Sequence, residues 1–129
     1  MRGGLRLLPA LLFLALPASC RLPPEAEPAG VADLRFSPSA FDSFRANTQI
    51  RYSLKVPAVV TIMIVQRDTT GRLLYVNTLV ANTLETKGTH AHTWLGDTFT
   101  GYFAPAGLYF GILQTGSERF EAAVRVFHF

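Results

Sequence analysis

Gly88-Thr89-His90-Ala91-His92-Thr93-Trp94-Leu95-Gly96-Asp97, a short polar spacer to Gly101, and then Pro105-Ala106-Gly107-Leu108-Tyr109-Phe110-Gly111-Ile112-Leu113 decide how this chain folds. The first part alternates its way into the only tryptophan. A glycine-bearing turn follows, and an apolar run begins directly after Pro105-Ala106-Gly107. A repeat of two residues marks a strand, because successive side chains of an extended chain point to opposite faces. Two such segments joined through glycine turns are the grammar of a small β-sandwich.

Outward from that stretch the same period persists. In residues 48–55, Ile50, Tyr52 and Leu54 fall on one face and Gln49, Arg51, Ser53 and Lys55 on the other, as in a half-buried antiparallel strand. Residues 59–65 are apolar on both faces and rich in β-branched side chains, which predicts a central strand. Asp68-Thr69-Thr70-Gly71 is a turn, and residues 72–80 supply the returning strand. Residues 108–114 and 120–127 pair across Gly116-Ser117, and a short strand around 34–36 brings the total to about seven. No amphipathic helical stretch lies beyond the N-terminal segment, and no internal repeat is visible. The pattern predicts an all-β fold over residues 33–129, an immunoglobulin-like antiparallel β-sandwich.

The N-terminal segment reads as an export signal. Arg2 and Arg6 give it a positive start, residues 7–16 are apolar apart from Pro9, and Pro17-Ala18-Ser19-Cys20 supplies small residues for cleavage. The apolar run is about half the length needed to cross a bilayer core. Cys20 is the only cysteine, so no intramolecular disulfide is available. Its place after Ala18-Ser19 resembles the lipobox of bacterial lipoproteins, with Pro17 where leucine is usual and Leu16 one step back. That resemblance implies lipidation at Cys20 and a lipid anchor in the membrane; the other reading is an ordinary secreted protein cut nearby. Arg21, where many inner-membrane lipoproteins carry aspartate, points to the outer membrane. Residues 21–32, rich in Pro, Ala and Glu, read as a tether. Removal of the signal takes Arg2 and Arg6 with it, leaving ten basic against nine acidic residues, a net of about +1. No basic run remains to suggest nucleic-acid binding.

A family resemblance rests on the order of several motifs. Phe36-Ser37-Pro38, Ile50-Arg51-Tyr52-Ser53-Leu54, residues 59–65 leading to Thr70-Gly71-Arg72, Gly88-Thr89-His90, Trp94, Gly96, Gly101 and Pro105-Ala106-Gly107-Leu108-Tyr109 follow one another as in the FlgD-like immunoglobulin-like domain, named for the flagellar hook-capping protein. The chain departs from that pattern at Ser39-Ala40-Phe41-Asp42, where many members carry an acidic glycine loop, and at Leu95, where many have aspartate. The resemblance implies an immunoglobulin-like domain with Trp94 packed across the sandwich.

Chemistry-bearing residues are sparse. His90 and His92, two apart, share a strand face, and paired imidazoles are a start toward a zinc site. The local sequence supplies no further ligand, so the pair is expected to face solvent and no metal or other cofactor is assigned. Tyr102 and Phe103, with Phe41 and Phe44, are the candidate contacts for a ligand or partner; the phenylalanines near the domain start either line one end of the sandwich or form an exposed patch. No nucleophile elbow, His-Glu-x-x-His or phosphate loop is present. Asp42, Asp68 and Asp97 sit at turns, where aspartate commonly bonds local backbone. The expectation is a non-catalytic module, exported and lipid-anchored at the cell envelope, with an envelope protein or a polysaccharide as partner. Carbohydrate binding and an accessory role in flagellar hook assembly are the alternatives.

Overall fold

β3 (Thr48–Leu54) shows pattern becoming structure most plainly, since its burial alternates residue by residue with Thr48, Ile50, Tyr52 and Leu54 turned inward. It lies between β1 (Ala32–Ser37) and β6 (Gly88–Trp94), antiparallel to both, in a three-stranded sheet. The computed structural model describes residues 28–129. The signal-like segment 1–20 with Cys20, and the tether up to residue 27, lie outside the described residues.

The second sheet has five strands in the order β2 (Ala40–Asp42), β8 (Glu118–Phe127), β7 (Gly107–Thr115), β4 (Ala58–Arg67) and β5 (Leu73–Glu85). β4 is the interior strand that its apolar faces predict, paired with β7 on one side and β5 on the other. The fold is therefore an all-β sandwich with an immunoglobulin-like layout, and the described residues form eight strands rather than about seven. The extra strand is β2, whose three residues are too few to carry a period. It pairs parallel with β8, and every other named strand pair among the described residues is antiparallel.

Two boundaries differ from the sequence reading. β5 continues to Glu85 instead of ending near residue 80. Its register against β4 shifts at several points, and Asn82 adopts a φ of 43°. Each bulge resets which face a side chain occupies, so the two-residue period is erased although the strand goes on. The domain also begins earlier than Asp33. Ala29 is buried, its carbonyl accepts the Lys55 amide at 2.9 Å, and its amide donates to Glu118 Oε1 at 3.3 Å.

Trp94, fully buried, joins the two sheets. It meets Phe41 of β2 at 5.7 Å between ring centroids and Tyr109 of β7 at 5.3 Å, both edge-on, and its indole N–H donates to the Asp97 carbonyl at 3.0 Å. Edge-to-face pairs of this kind add about 0.5–1.5 kcal/mol each beyond the area they bury. The Tyr109 hydroxyl donates to the Pro105 carbonyl at 2.5 Å, a tyrosine corner at the start of β7 of the sort immunoglobulin-like sandwiches use. Gly111 sets the sheet spacing beyond it, since a Cβ there would stand 2.8 Å from Ile50 Cδ1 and from the Phe36 ring.

Replacing Trp94 by Ala removes the aromatic link and leaves a void, at a cost of ~3–5 kcal/mol. Against a total of about 5–15 kcal/mol for a domain, much of the variant is expected to be unfolded at 37 °C. Urea denaturation followed by circular dichroism measures this, and a melt equal to that of the parent would refute it.

Candidate functional site

The connection between β6 and β7 is a loop fixed from within and from outside. Thr98 N–H donates to the Tyr102 carbonyl at 2.8 Å, Gly101 N–H to Thr98 at 2.9 Å, and Ala104 N–H to Gly96 at 2.8 Å. The loop is also fastened to the edge of β5: Phe99 N–H donates to the Val76 carbonyl at 2.8 Å, and the Asn77 amide donates to the Asp97 carbonyl at 3.0 Å. Gly96 makes the first turn with a φ of 76°, in a gap where a Cβ would collide with Ser43 and crowd the Phe41 ring. Only glycine combines that backbone conformation with that closeness.

A groove of about 330 Å³ opens between this loop and β5. Its walls carry Tyr75, Phe99 and Tyr102, which are 50%, 65% and 74% exposed, over a floor that includes Val76 and Tyr109. Gln66, Thr98 and Thr100 supply its polar edge. Tyr75 and Phe99 stand 5.4 Å apart with their rings tilted by 42°, and the Tyr75 hydroxyl is 2.7 Å from Thr78 Oγ1.

The four aromatic candidates from the sequence go to three different places. Tyr102 lines the groove. Phe44 and Phe103 pack on each other at 4.6 Å, and Phe44 stacks on His128 at 4.1 Å, forming a half-exposed aromatic knot at the same end of the molecule as the β6–β7 loop. Phe41 is 2% exposed and belongs to the core against Trp94, because β2 carries it into the second sheet. Tyr75 and Phe99 escaped the sequence reading. Phe99 had a signal: an aromatic between two threonines in a polar spacer belongs to no strand and so to no core face.

His90 and His92 are placed differently from the sequence expectation. Ala91 and Thr93 are the exposed side of β6, and the histidines occupy its inner, half-buried side. That side is closed by Tyr52, which lies opposite His90 in register, and by Glu85 from the end of β5. The Glu85 carboxylate is 7% exposed and engaged by several partners. Tyr52 O–H donates to Oε1, His92 Nε2–H donates to Oε2 at 2.8 Å, and His90 Nδ1 lies 3.9 Å from Oε1. His90 Nε2–H donates to the Thr86 carbonyl at 2.7 Å. Among the described residues no three His, Cys, Asp or Glu side chains are arranged to hold a metal ion. The cluster lines neither the aromatic groove nor the larger opening around Val56–Ala58 and Thr115–Glu118. It fastens the edge strands of the two sheets to each other.

The three turn aspartates split between local bonding and packing. Asp68 Oδ1 accepts the Thr70 hydroxyl at 2.6 Å and the amides of Arg72 and Thr70, both at 2.9 Å; the hydroxyl first, then the amides, hold its carboxyl below the usual range. Asp42 Oδ1 accepts the Phe44 amide at 3.0 Å. Asp97 acts through its backbone, which receives both Trp94 and Asn77.

Compared with known proteins, the chain matches no family model and no curated protein sequence.

Burial, followed by the hydrogen bond to Glu85 and the charge of that carboxylate, pushes the Tyr52 phenol well above the ordinary tyrosine range. The folded state thus keeps this proton after the unfolded chain has begun to lose it at about pH 10. The stabilisation is complete below that pH and disappears as the pH rises through and beyond it. The melting temperature is expected to fall above about pH 10, and Tyr52→Phe should make that fall shallower. At pH 7 the same change should cost ~1–3 kcal/mol, because Glu85 loses its buried donor. Thermal melts of both proteins from pH 7 to 11 test this, and equal slopes would remove Tyr52 from the explanation.

Proposed function

We propose that this chain is an exported, lipid-anchored, non-catalytic binding module of the bacterial cell envelope, held through Cys20 and presenting its aromatic end to an envelope protein or a polysaccharide. The observation that carries this reading is the set of large aromatic side chains left in solvent on a loop that hydrogen bonds hold still. A domain that spends apolar side chains on its surface while fixing their backbone is built to contact something. The order of sequence motifs, which resembles the FlgD-like immunoglobulin-like domain, agrees with a binding or structural role.

Two features of side-chain placement agree with a binding role. The group of ionisable side chains around Glu85 opens into neither groove. Among the described residues, the lining of the aromatic groove is aromatic, amide and hydroxyl side chains with Val76 and Pro105, and holds no carboxylate, imidazole, amine or thiol. The positively charged start, the short apolar run and Cys20 support export and anchoring. A single acyl chain holds only marginally, so stable attachment requires the several chains of a lipoprotein N-terminus.

Mass spectrometry of the mature N-terminus tests the anchor. The expected product begins at an acylated Cys20 and partitions with membranes, whereas Cys20→Ser leaves the protein unacylated and in the soluble fraction. A mature chain that begins elsewhere, or a Cys20→Ser protein that still partitions with membranes, would refute the lipid anchor.

A further inference from the structure

Resting on the binding-module reading, we propose that the groove between β5 and the β6–β7 loop is a subsite for the pyranose rings of an uncharged polysaccharide. Tyr75, Phe99 and Tyr102 offer ring faces, and Gln66, Thr98 and Thr100 offer an amide and hydroxyls. A pyranose is amphipathic in the same way: its axial C–H groups form an apolar face and its equatorial hydroxyls form a polar rim. The apolar face stacks on an aromatic ring while the rim meets side chains that both donate and accept hydrogen bonds.

Charge narrows the class of ligand. Among the described residues neither a basic nor an acidic side chain lines the groove, so a phosphate, a uronate or a nucleic acid would find no counter-charge in that lining. Size narrows it again. At about 330 Å³ the groove sits at the lower end of the range for small-molecule sites, about 300–1,000 Å³. A stable protein interface instead buries about 1,200–2,000 Å² in total. The volume suits a short stretch of sugar better than a folded surface.

The rings are set in advance. The amide bond from Phe99 to Val76 fixes where the Phe99 side chain leaves the loop, and the Tyr102 carbonyl is held by Thr98 N–H. Tyr75 is steadied by its contact with Thr78 Oγ1. Thr98 and Thr100 hydroxyls lie 2.9 Å apart, so each retains hydrogen-bonding capacity for a ligand. A 42° tilt between Tyr75 and Phe99 makes a V rather than a flat platform. Such a shape grips a ring from two sides and favours a chain that runs along the groove.

Affinity electrophoresis of the full-length protein in detergent, through gels containing neutral polysaccharides (a β-glucan, a mannan, starch) or the anionic alginate, tests the proposal. At least one neutral polymer should retard the protein and alginate should not. Tyr102→Ala and Phe99→Ala should each weaken that retardation about tenfold, equivalent to ~1.4 kcal/mol, with melting temperatures unchanged. Leu84→Ala, an exposed change on β5 away from the groove, should leave it intact. Retardation by none of the neutral polymers, or retardation indifferent to Tyr102 and Phe99, overturns the sugar subsite. If a photo-crosslinker at Phe103 then attaches to an envelope protein in cells, the sugar subsite alone falls; if it attaches to nothing, the binding-module reading falls with it.

Discussion

The packing of Trp94 between Phe41 and Tyr109 is the constraint on which the rest of the molecule depends. Trp94 ends β6 in the three-stranded sheet, while Phe41 and Tyr109 belong to β2 and β7 of the five-stranded sheet. One side chain therefore fixes the relative position of two layers that share no backbone ladder at that point. The same residue governs the loop that follows. Its indole N–H takes the Asp97 carbonyl, and the Asp97 backbone also receives Asn77 from β5. Core packing and the course of the exposed loop are thus coupled through three consecutive steps of hydrogen bonding and contact.

The Glu85 cluster acts at a different edge and by different physics. A carboxylate removed from water is expensive unless charge-assisted or neutral donors satisfy it. Glu85 has Tyr52 and His92 as donors, and His90 faces it as well. Both histidine rings also stack beside Tyr52, at 5.7 and 6.0 Å between centroids. The arrangement closes the side of the sandwich where the chain passes from β5 to β6. Its value lies in specifying register: a slip of β6 by one residue would turn His90 and His92 to solvent and strand the carboxylate.

What the sequence made legible follows from periodicity, and what it hid follows from the loss of periodicity. β3 is readable because alternation survives over its full length, and β4 because residues 59–65 are an apolar run rich in β-branched side chains. β2 was not, since three residues contain no repeat, and the core role of Phe41 was hidden with it. The last part of β5 was obscured by bulges and by Asn82. The same loss of period hides Glu85, the partner of the two histidines, from the sequence pattern. Tyr102 was legible as an exposed aromatic, but the groove was not, because Gln66, Tyr75 and Phe99 come from separate segments that only the fold brings together.

An edge strand exposes unpaired amides and carbonyls, and β5 is both long and rich in apolar side chains at its start. The β6–β7 loop meets that difficulty by placing Phe99 N–H on the Val76 carbonyl and Asp97 against Asn77. A second chain adding to this part of the edge would have to displace the loop. The bonds that block such pairing are also the bonds that hold Phe99 in place above Tyr75. Protection of the edge and the fixed placement of the exposed Phe99 ring are therefore one structural solution. A loop without these bonds would leave this part of the edge open.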